Sequence, residues 1–174
     1  MKCVGIDIGS YSVKLTEITE GSKGFVLSRC EQFPLSTDPS KDKKIEIIDL
    51  LRRLEEQYDP HSTRFIMGVR QDSVSLRRRS FPFRERHKIL KSLPFELEDD
   101  IPLDQEDAVF DAKVVKYQGN TAEVLATACP KPRIQEMLQL AEDGGLEIDI
   151  LSVEGLAFGN LFERWQEPAT QEPT

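Results

Sequence analysis

The sequence predicts an α/β fold that opens as a three-stranded antiparallel meander, a helix and a strand, with a second α/β subdomain inserted behind that strand. Three features predict it. Extended segments at residues 3–8, 11–19 and 25–33 are joined by short glycine-bearing turns, which suit hairpins and leave no room for a crossover. Residues 42–58 then switch to helical spacing, and residues 64–70 switch back to alternation. Finally, an extended hairpin at residues 108–129 sits between two helical stretches instead of continuing the first meander.

The elements follow in order. Residues 3–8 are a short apolar run bounded by Gly9-Ser10, a buried strand. In residues 11–19, Val13 and Leu15 alternate with Lys14 and Thr16. Gly21 to Gly24 is turn chemistry, residues 25–33 return as a third strand, and residues 34–40 are a loop. Ile47, Leu51, Leu54 and Tyr58 recur at spacings of three and four, which builds one apolar stripe on a helix over 42–58. Asp59-Pro60 ends it, because a residue before proline is driven out of the helical region. Phe65, Met67 and Val69 mark one face of the next strand.

The inserted segment begins after a loop with Asp72 and Ser73. Residues 74–81 are extended. Residues 84–98 are helical with Leu90, Leu93 and Leu97 aligned, but Pro94 lacks an N–H and clashes one turn back, which predicts a break or kink. Ile101-Pro102 closes this stretch. Ala108, Phe110, Ala112 and Val114 share one strand face, Gln118-Gly119-Asn120 turns the chain, and residues 121–129 return. Residues 131–143 form a helix stopped by Gly144-Gly145. A strand at 147–151 and a helix at 153–164 follow. The expected organisation is therefore 1–70, an inserted subdomain at 71–145, a return at 146–165 and a flexible tail at 166–174. Trp165, beside that tail, has two open roles, packing on the core or awaiting further chain.

Composition excludes several functions. Lysine and arginine number 23 against 31 aspartates and glutamates, a net charge of −8, which argues against nucleic-acid binding by phosphate neutralisation. Cys3, Cys30 and Cys129 are scattered and only His61 and His87 could join them, so no zinc spacing exists and no metal site is expected. Scattered single cysteines suit a reducing cytoplasm. No apolar run approaches the roughly 18 residues of a membrane span, and Asp7 interrupts the first apolar run, so neither a span nor a signal peptide is expected. Neither histidine has a partner at catalytic spacing, and Asp99-Asp100 are adjacent, so on a helix they face apart. No catalytic residue is assigned.

The strongest local signal is Val4-Gly5-Ile6-Asp7-Ile8-Gly9-Ser10-Tyr11-Ser12-Val13-Lys14. An acidic residue closes a buried strand, a glycine follows, and small hydroxyl residues lead into the next strand. Glycine lets a backbone approach an anion, turn N–H groups can hold phosphate oxygens, and a carboxylate can order a metal-bound water. A plain β-hairpin with polar turn residues is the alternative. The turn resembles the first phosphate loop of the actin, Hsp70 and sugar kinase superfamily. More narrowly it is similar to the opening of the type IV pilus assembly family PilM and its relative GspL, the L component of type II secretion. The segments Leu93-Pro94-Phe95-Glu96-Leu97-Glu98-Asp99-Asp100-Ile101-Pro102-Leu103 and Ala141-Glu142-Asp143-Gly144-Gly145-Leu146, with Val153-Glu154-Gly155-Leu156-Ala157, extend the likeness in the same order over residues 3–164. The first of these leans toward the secretion L component.

The resemblance implies a ribonuclease-H-like, actin-like ATPase fold, of which this chain matches the first half. It places Asp7, Gly9, Ser10, Tyr11 and Ser12, followed by Lys14, on a first phosphate loop that is vestigial here, since the second loop and the adenosine segment of such folds lie beyond Glu154. ATP and magnesium are then expected only if a second half completes the site, and no enzyme activity is expected. The implied role is a cytoplasmic scaffold at the inner-membrane face, in a protein that is membrane-anchored as a whole. Its implied partners are the secretion ATPase (the E component), neighbouring platform proteins and further copies of itself. A PilM-like protein instead binds ATP and captures a short N-terminal peptide of an inner-membrane partner. An actin-like or sugar-kinase-like ATPase is the competing class, and a cell-division actin homologue fits the Leu-Pro-Phe-Glu segment poorly. Arg77, Arg78, Arg79, Arg84, Arg86, Lys88 and Lys91 form a basic stretch before the acidic Glu96, Glu98, Asp99, Asp100, Asp104, Glu106 and Asp107. Two solvated faces or a docking surface both account for this contrast, and Arg77, Arg78 and Arg79 are the candidate partner contacts.

Overall fold

A computed structural model describes residues 1–21 and 24–165. Ser22, Lys23, the tail expected to be flexible at 166–174 and the side chain of Trp165 lie outside the described residues. In chain order the elements are β1 (Lys2–Ile8), β2 (Ser12–Gly21), β3 (Gly24–Pro34), α1 (Lys43–Glu55), β4 (Thr63–Val69), β5 (Ser75–Phe81), α2 (Arg86–Leu97), β6 (Ala108–Gln118), β7 (Thr121–Pro130), α3 (Lys131–Asp143), β8 (Ile150–Val153) and α4 (Glu154–Trp165). They divide into two compact units, Met1–Arg70 with the chain from Leu140 onward, and Gln71–Gln139.

The first unit is built on a five-stranded sheet of order β3-β2-β1-β4-β8. β1, β2 and β3 follow one another closely in the chain and pair antiparallel, while the longer excursion through α1 lets β4 lie parallel to β1. β8 then adds parallel to β4. This is the ribonuclease-H-like order of strands that the sequence predicts. Val4, Ile6, Val13, Leu15, Phe65, Met67 and Val69 are buried, and cross-strand pairing puts them on one face. Leu50, Leu51 and Leu54 of α1 are buried with them. Asp42 caps α1, its carboxylate accepting from Lys44 N at 2.8 Å.

Two element boundaries differ from expectation by three residues. α1 ends at Glu55, because Gln57 N and Tyr58 N turn to the carbonyls three residues back and tighten the chain. Tyr58 is still buried, its ring edge-on to Phe65 at 5.7 Å. The last strand begins at Ile150 instead of residue 147. Asp149 sets that start, since its N–H donates to Phe65 O at 3.0 Å and its carboxylate accepts from Phe65 N at 2.8 Å.

The second unit is a three-stranded antiparallel sheet, β5-β7-β6, with α2 on one face. Ile89, Leu93 and Leu97 pack with Phe81, Ala112, Ala122, Val124, Ala126 and Ala128, and Phe110, Val114 and Leu90 border the cluster. The alternation expected of the hairpin is thus observed. The break expected at Pro94 is not: α2 runs through it to Leu97. The missing N–H costs one bond near the helix end, a penalty of about 3 kcal/mol. Burying Leu93 and Leu97, at roughly 1.5–3 kcal/mol each, offsets it.

Candidate functional site

β1, β4 and β8 run parallel, so their carboxyl ends fall at one end of the sheet. That geometry collects the turn after β1, Arg70 after β4 and Glu154 at the start of α4. The turn is tight: Gly9 N donates to Ser12 O at 3.0 Å, and Tyr11 O accepts from Leu35 N at 2.8 Å. A side chain at residue 9 would put its Cβ 3.1 Å from Ser12 O, which explains the glycine.

Asp7, Gly9, Ser10, Tyr11, Ser12 and Lys14 therefore form one continuous feature, as their sequence proximity requires. Asp7 and Lys14 are direct cross-strand partners, and Lys14 Nζ donates to Asp7 Oδ2 at 2.7 Å. Arg70 Nη1 donates to Ser10 Oγ at 2.8 Å, and Lys43 Nζ to Ser10 O at 3.1 Å. The Lys43 ammonium also lies 5.6 Å from the Tyr11 ring centroid, and Tyr11 is 75% exposed. Three cations thus gather on a turn whose own carboxylate and hydroxyl already engage them.

Lys43 and Arg70 were not among the sequence candidates, although both leave a signal. A lysine in the first turn of a helix opposes the helix dipole, so its charge is stabilised from elsewhere, here by Ser10 O. Arg70 follows directly on a strand parallel to β1, where topology brings it beside the turn.

Beside the turn is a trough of about 520 Å³. Gly5, Asp7, Lys14, Thr16, Ile66 and Gly68 of the sheet and Ala157 and Phe158 of α4 line it. Gly68 is constrained, since a Cβ there would stand 3.3 Å from Glu154 Cγ. Phe158, Leu161 and Phe162 of α4 are 75%, 57% and 61% exposed.

The three arginines belong to β5 in the other unit, and strand alternation separates them. Arg79 pairs with the Asp100 carboxylate and its Nε donates to Glu96 O at 3.3 Å, while Arg77 Nη2 donates to Asp100 O at 2.9 Å. Arg79 therefore holds the carbonyl end of α2, where a cation complements the helix dipole, and Arg77 holds the turn that follows it. Arg78 lies on the opposite face, 75% exposed, with Glu123 at 3.9 Å.

The family model described as type IV pilus assembly protein PilM matches residues 5–172. The structure of a PilM–PilN type IV pilus biogenesis complex overlaps at TM-score 0.75 and 19% identity, covering 94% of this chain and 50% of that one. The cytoplasmic domain of EpsL, an inner-membrane component of the Vibrio cholerae type II secretion system, overlaps at TM-score 0.58 and 15% identity, covering 87% and 57%. A Bacteroides thetaiotaomicron protein of actin-like ATPase fold overlaps less, at TM-score 0.48 and 8% identity over 94% and 56%. The chain thus spans about half the length of these structures. No curated protein matches it in sequence.

Proposed function

The chain belongs to the type IV pilus assembly protein PilM family, and from that premise we propose that it is an assembly domain at the cytoplasmic face of a bacterial inner-membrane platform, working through protein contacts and not by turning over nucleotide itself. The carrying observation is the state of the phosphate-type turn. Its carboxylate is taken by Lys14 and its Ser10 hydroxyl by Arg70, so Mg-ATP would have to displace protein partners before it could be held. Phosphoryl transfer needs phosphates clamped from more than one side, a metal and a positioned base. The turn offers one side of such a clamp.

The partner in this proposal is an inner-membrane protein of the pilus platform. The family match and the overlap with the PilM–PilN complex favour that reading. Recruitment of the secretion ATPase, the E component, is the second reading, favoured by the overlap with the EpsL cytoplasmic domain. Among the described residues no helix is long and apolar enough to cross a membrane.

Affinity capture of the chain from its native lysate, with mass spectrometry of what is retained, tests the proposal. Recovery of an inner-membrane pilus protein without the ATPase supports the first reading, and recovery of the ATPase supports the second. Recovery of neither opposes the assembly role.

A further inference from the structure

β3 is the outer strand of the five-stranded sheet. β2 pairs along one side of it, and among the described residues no strand pairs along the other. Such an edge presents N–H and C=O groups that a further strand can take up. β3 runs 11 residues, about twice the commonest strand length, with a bulge at Ser28 that leaves residues 29–34 as the regular stretch around Cys30. Only Arg29 and Phe33 are half-buried on it, and Phe25, Val26 and Leu27 are 58%, 59% and 62% exposed. Long edges with open apolar side chains are what sheets usually avoid.

The charges on this edge identify what fits it. Arg29 and Glu31 flank Cys30, and Arg29 Nε and Nη2 each donate to the Glu31 carboxylate at 2.8 Å. A single charge on an edge strand meets its own like charge when two copies approach about a two-fold axis. This arrangement does the opposite. With Cys30 on the axis and the strands antiparallel, Arg29 faces Glu31 of the second copy, and Glu31 faces its Arg29. Opposite charges directly across a strand pair stabilise it, and like charges oppose it. A two-fold interface requires this kind of self-complementarity.

We propose that β3 is a self-association edge: two copies of this chain pair β3 to β3, antiparallel, with Cys30 on the two-fold axis, so that their sheets become continuous. The inference is independent of the pilus or secretion assignment. Cys30 supplies a native reporter, because it is exposed whereas Cys3 is partly buried and Cys129 buried.

Sedimentation equilibrium of the whole chain tests this, with Arg29→Glu and Glu31→Arg variants run separately and as an equimolar mixture. The wild-type chain should form a concentration-dependent dimer. Each variant alone should weaken it by about tenfold or more, since two attractive cross-strand pairs become repulsive. The mixture should recover a heterodimer, a result that a folding defect in either variant could not produce. Mild oxidation of the wild-type chain should yield a covalent dimer that Cys30→Ser abolishes. A chain monomeric at every concentration overturns the proposal. So does a dimer that neither charge variant weakens, or one lost in Phe158→Glu but kept in Arg29→Glu, which would put the contact on α4.

Discussion

Lys14 Nζ stands 2.7 Å from Asp7 Oδ2 because the two residues face each other directly on β2 and β1. The side chains are 50% and 39% exposed, so the pair is a solvent-screened bridge worth about 0–1 kcal/mol. Lys14→Ala should therefore change the unfolding free energy by less than about 1 kcal/mol in a urea melt. Calorimetric titration of the chain with Mg-ATP should give no heat, and Asp7→Ala should leave that trace unchanged. A saturable heat that Asp7→Ala removes would establish a working nucleotide site and end the assembly-only proposal.

The adjacent arginines of β5 should behave unequally. Arg79 is 23% exposed and bonded to both the Asp100 carboxylate and Glu96 O, whereas Arg78 is 75% exposed with its partner at 3.9 Å. Losing the first removes charge-assisted bonds at a helix end, roughly 1–3 kcal/mol. Losing the second should cost no more than about 0.5 kcal/mol. Thermal melts of Arg79→Ala and Arg78→Ala check the order, and equal destabilisation would contradict it. A triple charge reversal would mix folding with docking, so Arg78→Glu is the substitution that tests partner contact alone.

This split shows where the sequence was legible and where it was not. Alternation within one strand was readable, and Val13 with Leu15, or Phe65 with Met67, fell on the buried face as expected. The pairing of Arg79 with Asp100 joins residues of different elements, which no local period encodes. The absence of a break at Pro94 was illegible for a related reason. Its local penalty is visible in the sequence, but the burial of Leu93 and Leu97 that offsets it is decided by the sheet beneath. In the candidate site, the turn itself was legible because its six residues are nearly consecutive. Arg70 arrives from a separate strand and only topology brings it to Ser10.

Acid should weaken the fold in a defined window. Lys88 Nζ donates to Glu85 Oε1 at 2.6 Å, and this bond holds the Glu85 carboxyl at about 2, below its ordinary 4.5. Arg29 likewise holds Glu31 below its ordinary value. A carboxyl depressed in the folded state leaves the unfolded chain binding more protons between the two values. The stabilisation is thus present above pH 4.5 and is lost as pH falls toward about 2. Urea midpoints should fall across this window. The gap between wild type and Glu85→Gln, which cannot titrate, should close over the same range, and a constant gap would contradict the assignment.

The closest packing constraint in the first unit is at Gly144. A Cβ built there would lie 2.5 Å from Leu51 Cβ and 3.2 Å from its Cδ1. Leu51 is fully buried on α1, so the contact cannot be relieved by turning a side chain into solvent. The backbone around Gly144 is also fixed, since its N–H reaches Ala141 O at 3.0 Å and Arg52 Nε donates to Asp143 O at 3.1 Å. Gly144→Ala must therefore push α1 away from the end of α3, at a cost of about 1–3 kcal/mol for overpacking. Gly145 is a different case. Its φ of +79° is left-handed, and the nearest neighbour of an added Cβ is Glu55 Cγ at 3.7 Å, so Gly145→Ala carries backbone strain without a clash, about 1–2 kcal/mol. A shortened residue 51 separates the two mechanisms. Leu51→Ala keeps the Cβ of the 2.5 Å contact but removes the Cδ1 at 3.2 Å, so it relieves part of the clash, and in the Gly144→Ala background it should cost less than in the wild type. In the Gly145→Ala background it should cost the same as in the wild type. Additivity at Gly144, measured in a double-mutant cycle by urea melts, would show that α1 and the end of α3 are not in the contact described.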